Sequence, residues 1–213
     1  WSFCYDKIIS TGGEGGMILT SNYNFFKRMF AFRDCGKNFE KIRKKKTPRF
    51  RWIHDFQGSN YRMTEMQAAL GIEQLKNLHN NLKVRNTFCK KIINLNNSYD
   101  FLKKIEIPNH IYHSYYRFYF FVKLNKIRNK ITREEIIKLL NNKGIVCNVG
   151  SCPEIYLERP FKLLARHKTR LENAKKLNNS SIALCVNHRF RSLEQKHYLT
   201  NLKKIFEYIS NKI

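Results

Sequence analysis

No run of about eighteen apolar residues occurs, so a membrane-spanning helix is not expected. Acidic side chains are scarce: 16 Asp and Glu stand against 41 Lys and Arg, a formal net charge of +25. The six cysteines (Cys4, Cys35, Cys89, Cys147, Cys152, Cys185) include no C-x-x-C pair. That scatter argues against a disulfide frame and against a metal site, and it predicts reduced thiols in a cytoplasmic protein. Internal repeats, a Walker loop and a G-x-S-x-G elbow are also missing. The chain opens on Trp1 without an initiator methionine and is expected to begin partway through a longer protein.

The basic excess has two readings. Lysines and arginines that release counterions from phosphates give strong, salt-sensitive binding to nucleic acid. Joint richness in Lys, Asn and Ile is instead what an A- and T-rich gene produces, and most lysines are then solvated surface. The basic residues are spread over the whole chain, which favours the second reading, so nucleic acid is not the expected partner. The densest run, from Lys41 to Arg51, contains Lys41, Arg43, Lys44, Lys45, Lys46, Arg49 and Arg51 and is expected to form an exposed loop.

What is present begins at the front. Trp1 to Asp6 reads as the end of a strand, followed by Lys7, Thr11 and a glycine-rich loop of Gly12, Gly13, Gly15 and Gly16. Glycines let backbone N–H groups approach an anion closely. A lysine amine beside them can form a Schiff base if it is held unprotonated. On these residues alone, carbonyl or pyridoxal chemistry competes with a solvated lysine before a glycine turn. Residues 16–20 read as a short buried strand. Asn22 caps a helix with an apolar face of Phe25, Phe26, Met29, Phe30 and Phe32, ended by Gly36. Residues 37–59 read as a long loop, in which His54 is a structural or solvated side chain rather than an acid–base group.

Thr64-x-x-Gln67 is a capping-box pattern opening a long helix that keeps apolar spacing into the nineties. Asn60 stands just before it, where free N–H groups and the helix dipole suit a phosphate. Residues 105–114, with Pro108, form a connector into a second domain. There, strands are expected at 115–124, 145–149 and 182–186. Capped helices are expected after Thr132-x-x-Glu135 and Ser192-x-x-Gln195, with another at 171–179. This alternation is that of a small α/β domain.

Three blocks carry a family resemblance. Ser2-Phe3-x-x-x-Lys7 followed by T-G-G-E-G-G-M resembles the Schiff-base segment of the DegT-like family of PLP-dependent nucleotide-sugar aminotransferases. The segment from Ser59 to Gly71, S-N-Y-R-M-T-E-M-Q-A-A-L-G, and that from Gly144 to Glu158, with Gly150-Ser151-Cys152-Pro153-Glu154, resemble two further segments in the family's order. The resemblance implies an α/β fold of the fold type I PLP-dependent transferase kind. Residues 1–104 would be the C-terminal part of the large cofactor-binding domain with a long connecting helix, and 105–213 the small domain. The front of the large domain would be absent.

The resemblance further implies that Lys7 carries pyridoxal 5'-phosphate (PLP) as a Schiff base and shuttles the substrate proton. Ser2 would bond the cofactor's phosphate, and Asn60 would reach that phosphate from the partner subunit of a homodimer with shared active sites. The implied reaction moves an amino group from an amino acid, glutamate by expectation, to a keto carbon of a nucleotide-activated deoxysugar for cell-surface polysaccharide. Relatives that dehydrate sugars carry histidine in place of this lysine, so Lys7 favours transamination. Glu14 is read as a loop-shaping residue, and Arg189 stands where many relatives have proline. Two alternatives come from other classes: a catalytically silent fragment or paralogue, and a basic nucleic-acid-binding module.

Overall fold

The computed structural model describes residues 1–44, 48–127, 131–152, 154–162 and 169–211. Lys45 and Lys46 of the basic run and Pro153 of the third block lie outside the described residues. The chain forms two compact units, Trp1–Leu78 and His79–Ile213. The division falls inside a long helix, whereas the sequence placed a domain boundary at the 105–114 connector. Phe88, Cys89, Ile92, Phe101 and Leu102, all before that connector, belong to the core of the second unit.

The first unit contains α1 (Tyr23–Arg33), α2 (Phe39–Arg43) and the beginning of α3 (Glu65–Asn97). Asn22 caps α1 as expected, its side-chain oxygen accepting from the N–H groups of Asn24 and Phe25. The chain leaves α1 through Gly36, whose φ of +79° a side chain would strain. A Cβ there would also lie 1.7 Å from the Phe56 carbonyl oxygen. The expected loop at 37–59 contains a helix after all: Asn38 caps α2, and Lys41 pairs with Asp55 at 2.6 Å.

Two other expectations fail in this unit. Residues 1–6 and 16–20 form no strands, only bridges such as Ser2 to Gly16 and Cys4 to Gly13. Met17, Ile18 and Leu19 are exposed, although Met17 exchanges two backbone hydrogen bonds with Trp1, at 2.9 and 2.6 Å. The aromatic face of α1 is not core either. Phe26 and Phe30 pack edge-on to Phe39 at 4.8 and 5.0 Å, yet Phe25, Phe26 and Phe32 stay exposed.

The second unit closes around an antiparallel sheet of β1 (Phe118–Phe121), β2 (Cys147–Asn148) and β3 (Ser181–Leu184) in the order β1-β3-β2. Both β1 and β2 run antiparallel to β3. They are therefore parallel to each other with β3 between them, a split β-α-β unit connected through α4 (Arg133–Asn142). The strands are shorter than their apolar runs suggested, but all four residues of β3 are buried. Thr132 and Glu135 form the expected capping box on α4, and Ile136 and Leu140 bury its inner face. The remaining helices are α5 (Arg159–Lys162), α6 (Glu172–Ser180) and α7 (Ser192–Ser210).

The capping residue of α7 is shifted by one from the expected Ser192: the Arg191 N–H donates to Glu194 Oε2 at 2.6 Å. A carboxylate is the stronger acceptor for a helix N–H, so Glu194 takes the position read for Gln195. Tyr198, Leu202, Ile205, Phe206 and Ile209 then face inward, and Phe206 meets Tyr99, Phe101 and Phe120 at centroid distances of 5.4, 5.9 and 5.7 Å. Among the described residues no helix is long and apolar enough to cross a membrane.

Candidate active site

The front loop folds back on itself. The Phe3 N–H donates to the Gly15 carbonyl at 2.7 Å, and Thr11 N–H to the Phe3 carbonyl at 3.1 Å. A tight turn places Lys7 N–H on the Cys4 carbonyl at 3.1 Å. Within this frame Lys7 Nζ lies 2.9 Å from Asp6 Oδ1, and its side chain is 31% exposed. Ser2 sits at the mouth of the loop, its Oγ accepting from Cys4 N–H at 3.3 Å. Cys4 Sγ donates to Glu14 Oε1 at 3.2 Å, a bond that pushes the thiol's pKa up and gives Glu14 the shaping role expected of it.

The loop is fastened to the first turns of α3. Thr64 and Gln67 form the expected box, with Thr64 N–H donating to Gln67 Oε1 at 3.0 Å and Gln67 N–H to Thr64 Oγ1 at 3.3 Å. Gln67 Nε2 also reaches the Glu14 carbonyl at 3.0 Å. Gly71 lies where a Cβ would come 3.1 Å from Thr11 Cγ2. A glycine inside a helix costs about 1 kcal/mol relative to alanine, and here it admits the nearly buried Thr11. One turn further on, Gln74 exchanges two hydrogen bonds with Ser10. Gln67, Gly71 and Gln74 share one face by helical spacing. Gln74 was missed in the sequence, although a glycine at 71 and amides at 67 and 74 are a visible sign of a closely approached face.

Asn60 belongs to a different segment, bridged to Asp34 at the end of α1. The helix begins only at Glu65 and its cap is Thr64, so Asn60 does not sit at the free helix terminus that its sequence position suggested. Its side-chain oxygen accepts from Arg62 Nε at 3.0 Å, which orients the amide. Asp34, nearly buried, anchors this segment. It takes Lys37 Nζ at 2.8 Å and lies 3.6 Å from Arg62 Nε. The Lys37 ammonium, hydrogen-bonded to it, holds the Asp34 carboxyl below its ordinary value. His54 is paired through its backbone with Lys37.

This donor set suits a phosphorylated aldehyde. A partly exposed primary amine can condense with the carbonyl, and a hydroxyl and an amide can bond phosphate oxygens. Lys7 and Ser2 share one loop, whereas Asn60 stands on the separately anchored segment.

The fold is that of the fold type I PLP-dependent transferases. More narrowly, residues 1–203 match the DegT/DnrJ/EryC1/StrS aminotransferase family, and the chain belongs to it. The aminotransferase from Psychrobacter cryohalolentis has a similar solved structure, with a TM-score of 0.91 and 32% identity, covering 98% of this chain and 55% of that one. Two similar relatives are named GDP-perosamine synthase. That of Caulobacter vibrioides is 38% identical over 85 residues, 40% of this chain and 20% of the relative. That of Escherichia coli O157:H7 is 25% identical over 167 residues, 76% of this chain and 42% of the relative. The chain thus spans about half the length, or less, of these proteins.

Proposed function

We propose that this chain carries the lysine-bearing part of a PLP-dependent aminotransferase that moves an amino group from an amino acid to a keto carbon of a nucleotide-activated deoxysugar. The observation that carries the reading is a partly exposed Lys7 amine on a loop pinned along α3, in a chain whose family is established over residues 1–203. When bound, the cofactor supplies the electron sink for the substrate carbanion. Lys7 would hold it through Nζ, and the same amine would take the proton from the donor's α-carbon and later return one to the acceptor carbon. Ser2 Oγ and the Asn60 amide bind the phosphate, and the Arg62 contact keeps the Asn60 amide turned for that task.

Glutamate is the proposed donor and surface polysaccharide the proposed destination, and two GDP-perosamine synthases among the relatives support a nucleotide amino sugar as the product. The proposed assembly is a cytoplasmic homodimer with Asn60 acting across the twofold axis. The test uses full-length protein with PLP, glutamate and a GDP-linked keto sugar, and detects the amino sugar by mass spectrometry. Lys7→Ala and Asn60→Ala should each be nearly inactive. Refolded together, with chain exchange verified by two tags, they should regain about a quarter of wild-type activity. Random pairing makes about half the dimers mixed, each with one intact site. An unrestored mixture would end the shared-site proposal, and an inactive wild type with these substrates would end the substrate assignment.

A further inference from the structure

We propose that Gln74 is a positioning residue for Lys7: its carboxamide grips both backbone polar groups of Ser10 and so sets where the loop holds Lys7 Nζ. The inference rests on the reading of Lys7 as the cofactor-bearing lysine and extends it to a residue on another element.

The geometry is a two-point clamp. Ser10 N–H donates to Gln74 Oε1 at 2.9 Å, and Gln74 Nε2 donates to the Ser10 carbonyl at 2.6 Å, across 64 positions of sequence. Backbone groups that are shielded from water need partners, and a neighbouring strand would ordinarily provide them. Among the described residues the backbone–backbone bond beside Ser10 is that from Thr11 to Phe3, and Ser10 Oγ accepts from Gly12 N–H at 3.3 Å, so for the Ser10 backbone a side chain takes the strand's place. A primary amide suits the task because it presents a donor and an acceptor side by side, as a peptide does. Leucine offers neither, and an ionised glutamate would set an oxygen against the Ser10 carbonyl.

Position along the loop gives the clamp its consequence. Only Ile8 and Ile9 separate Lys7 from Ser10, so a shift at Ser10 passes directly to the turn that carries Lys7. Beyond Ser10 the loop has other holds: Thr11 is 2% exposed, and Gln67 grips the Glu14 carbonyl. Loss of Gln74 therefore leaves the loop attached but frees the side of it nearest the amine. A displacement of about 1 Å is enough to cost a reacting group one to two orders of magnitude in rate.

The test follows the rate at which Lys7 is labelled when full-length apo-protein is given PLP and cyanoborohydride, read by peptide mass spectrometry. Gln74→Leu should label Lys7 on the order of tenfold more slowly, while hydrogen exchange at the Ser10 amide accelerates. Gln74→Glu supplies a second reading. Its carboxyl regains a donor on protonation, and burial beside a carbonyl favours that form. Its labelling rate relative to wild type at the same pH should therefore recover between about pH 7.5 and about pH 5, while the ratio for Gln74→Leu stays flat. If Gln74→Leu does not fold, the glutamate ratio decides alone. Wild type labelled at Lys7 with both variants equally fast would overturn the role of Gln74 only. Wild type unlabelled at Lys7 would overturn the reading of Lys7, and this inference with it.

Discussion

The two compact units differ in how they hold themselves together. In residues 79–213 a three-stranded sheet and the faces of α3, α4 and α7 close around fully buried side chains such as Phe88, Ile136, Ile182 and Phe206. Among the described residues of 1–78 the only buried apolar side chain is Ala31, while Met17, Ile18, Leu19, Phe25, Phe32, Trp52 and Met66 are exposed. The first unit is ordered by side chains gripping backbone: Asn22 and Asn38 at helix starts, Gln67 and Gln74 on the Lys7 loop. A core fixes a fold through many small contacts, whereas the candidate site is fixed through a few directional ones. The unit that carries the candidate site is therefore the one where the loss of a single amide is proposed to matter.

The sharpest stability contrast sets an aromatic in the core against one on the open face. Phe206→Ala removes a side chain that is 1% exposed and should cost about 3–5 kcal/mol in urea unfolding of residues 1–213. Phe25→Ala, at a residue 56% exposed, should change stability by no more than about 0.5 kcal/mol. Equal costs would mean that the aromatic face of α1 is covered in the folded protein, and the contrast between the units would fail.

A smaller effect concerns a carboxylate of the second unit that several side chains hold. Glu154, 4% exposed, receives Arg170 Nη2 at 2.6 Å, Tyr156 OH at 2.7 Å and Asn178 Nδ2 at 3.0 Å. The Arg170 bonds, and then that from Tyr156, hold its pKa at about 2 against an ordinary 4.5. A folded pKa below the unfolded one gives stability that is present above about 4.5 and is lost as pH falls toward about 2. Thermal midpoints measured across that window should fall less steeply for Glu154→Gln than for wild type. Parallel curves would remove Glu154 from the acid response.

Much of this was legible in the sequence where the signal is local. Asn22, the Thr64–Gln67 pair and the Thr132–Glu135 pair all cap the helices they were read to cap, since a cap needs only residues three apart. Burial was misread where it depends on partners elsewhere. Residues 16–20 have strand composition, but their pairing among the described residues goes no further than Gly16 with Ser2 and Met17 with Trp1. The Phe25 to Phe32 stripe has core spacing but lies open. The residues alone raised Lys7 as a Schiff-base amine and Asn60 as a phosphate neighbour without deciding for either, and the resemblance made that choice and added Ser2. The Gln74 clamp was missed: the spacing of Gln67, Gly71 and Gln74 marks a closely approached face, but nothing in it names Ser10 as the partner.

The central claim is that Lys7 is the lysine that binds the cofactor, and borohydride reduction of the PLP-loaded full-length protein followed by peptide mapping tests it most directly. The account predicts a pyridoxyl group on Lys7 and its disappearance in Lys7→Ala. Label on any other lysine, at equal yield in both proteins, would contradict it.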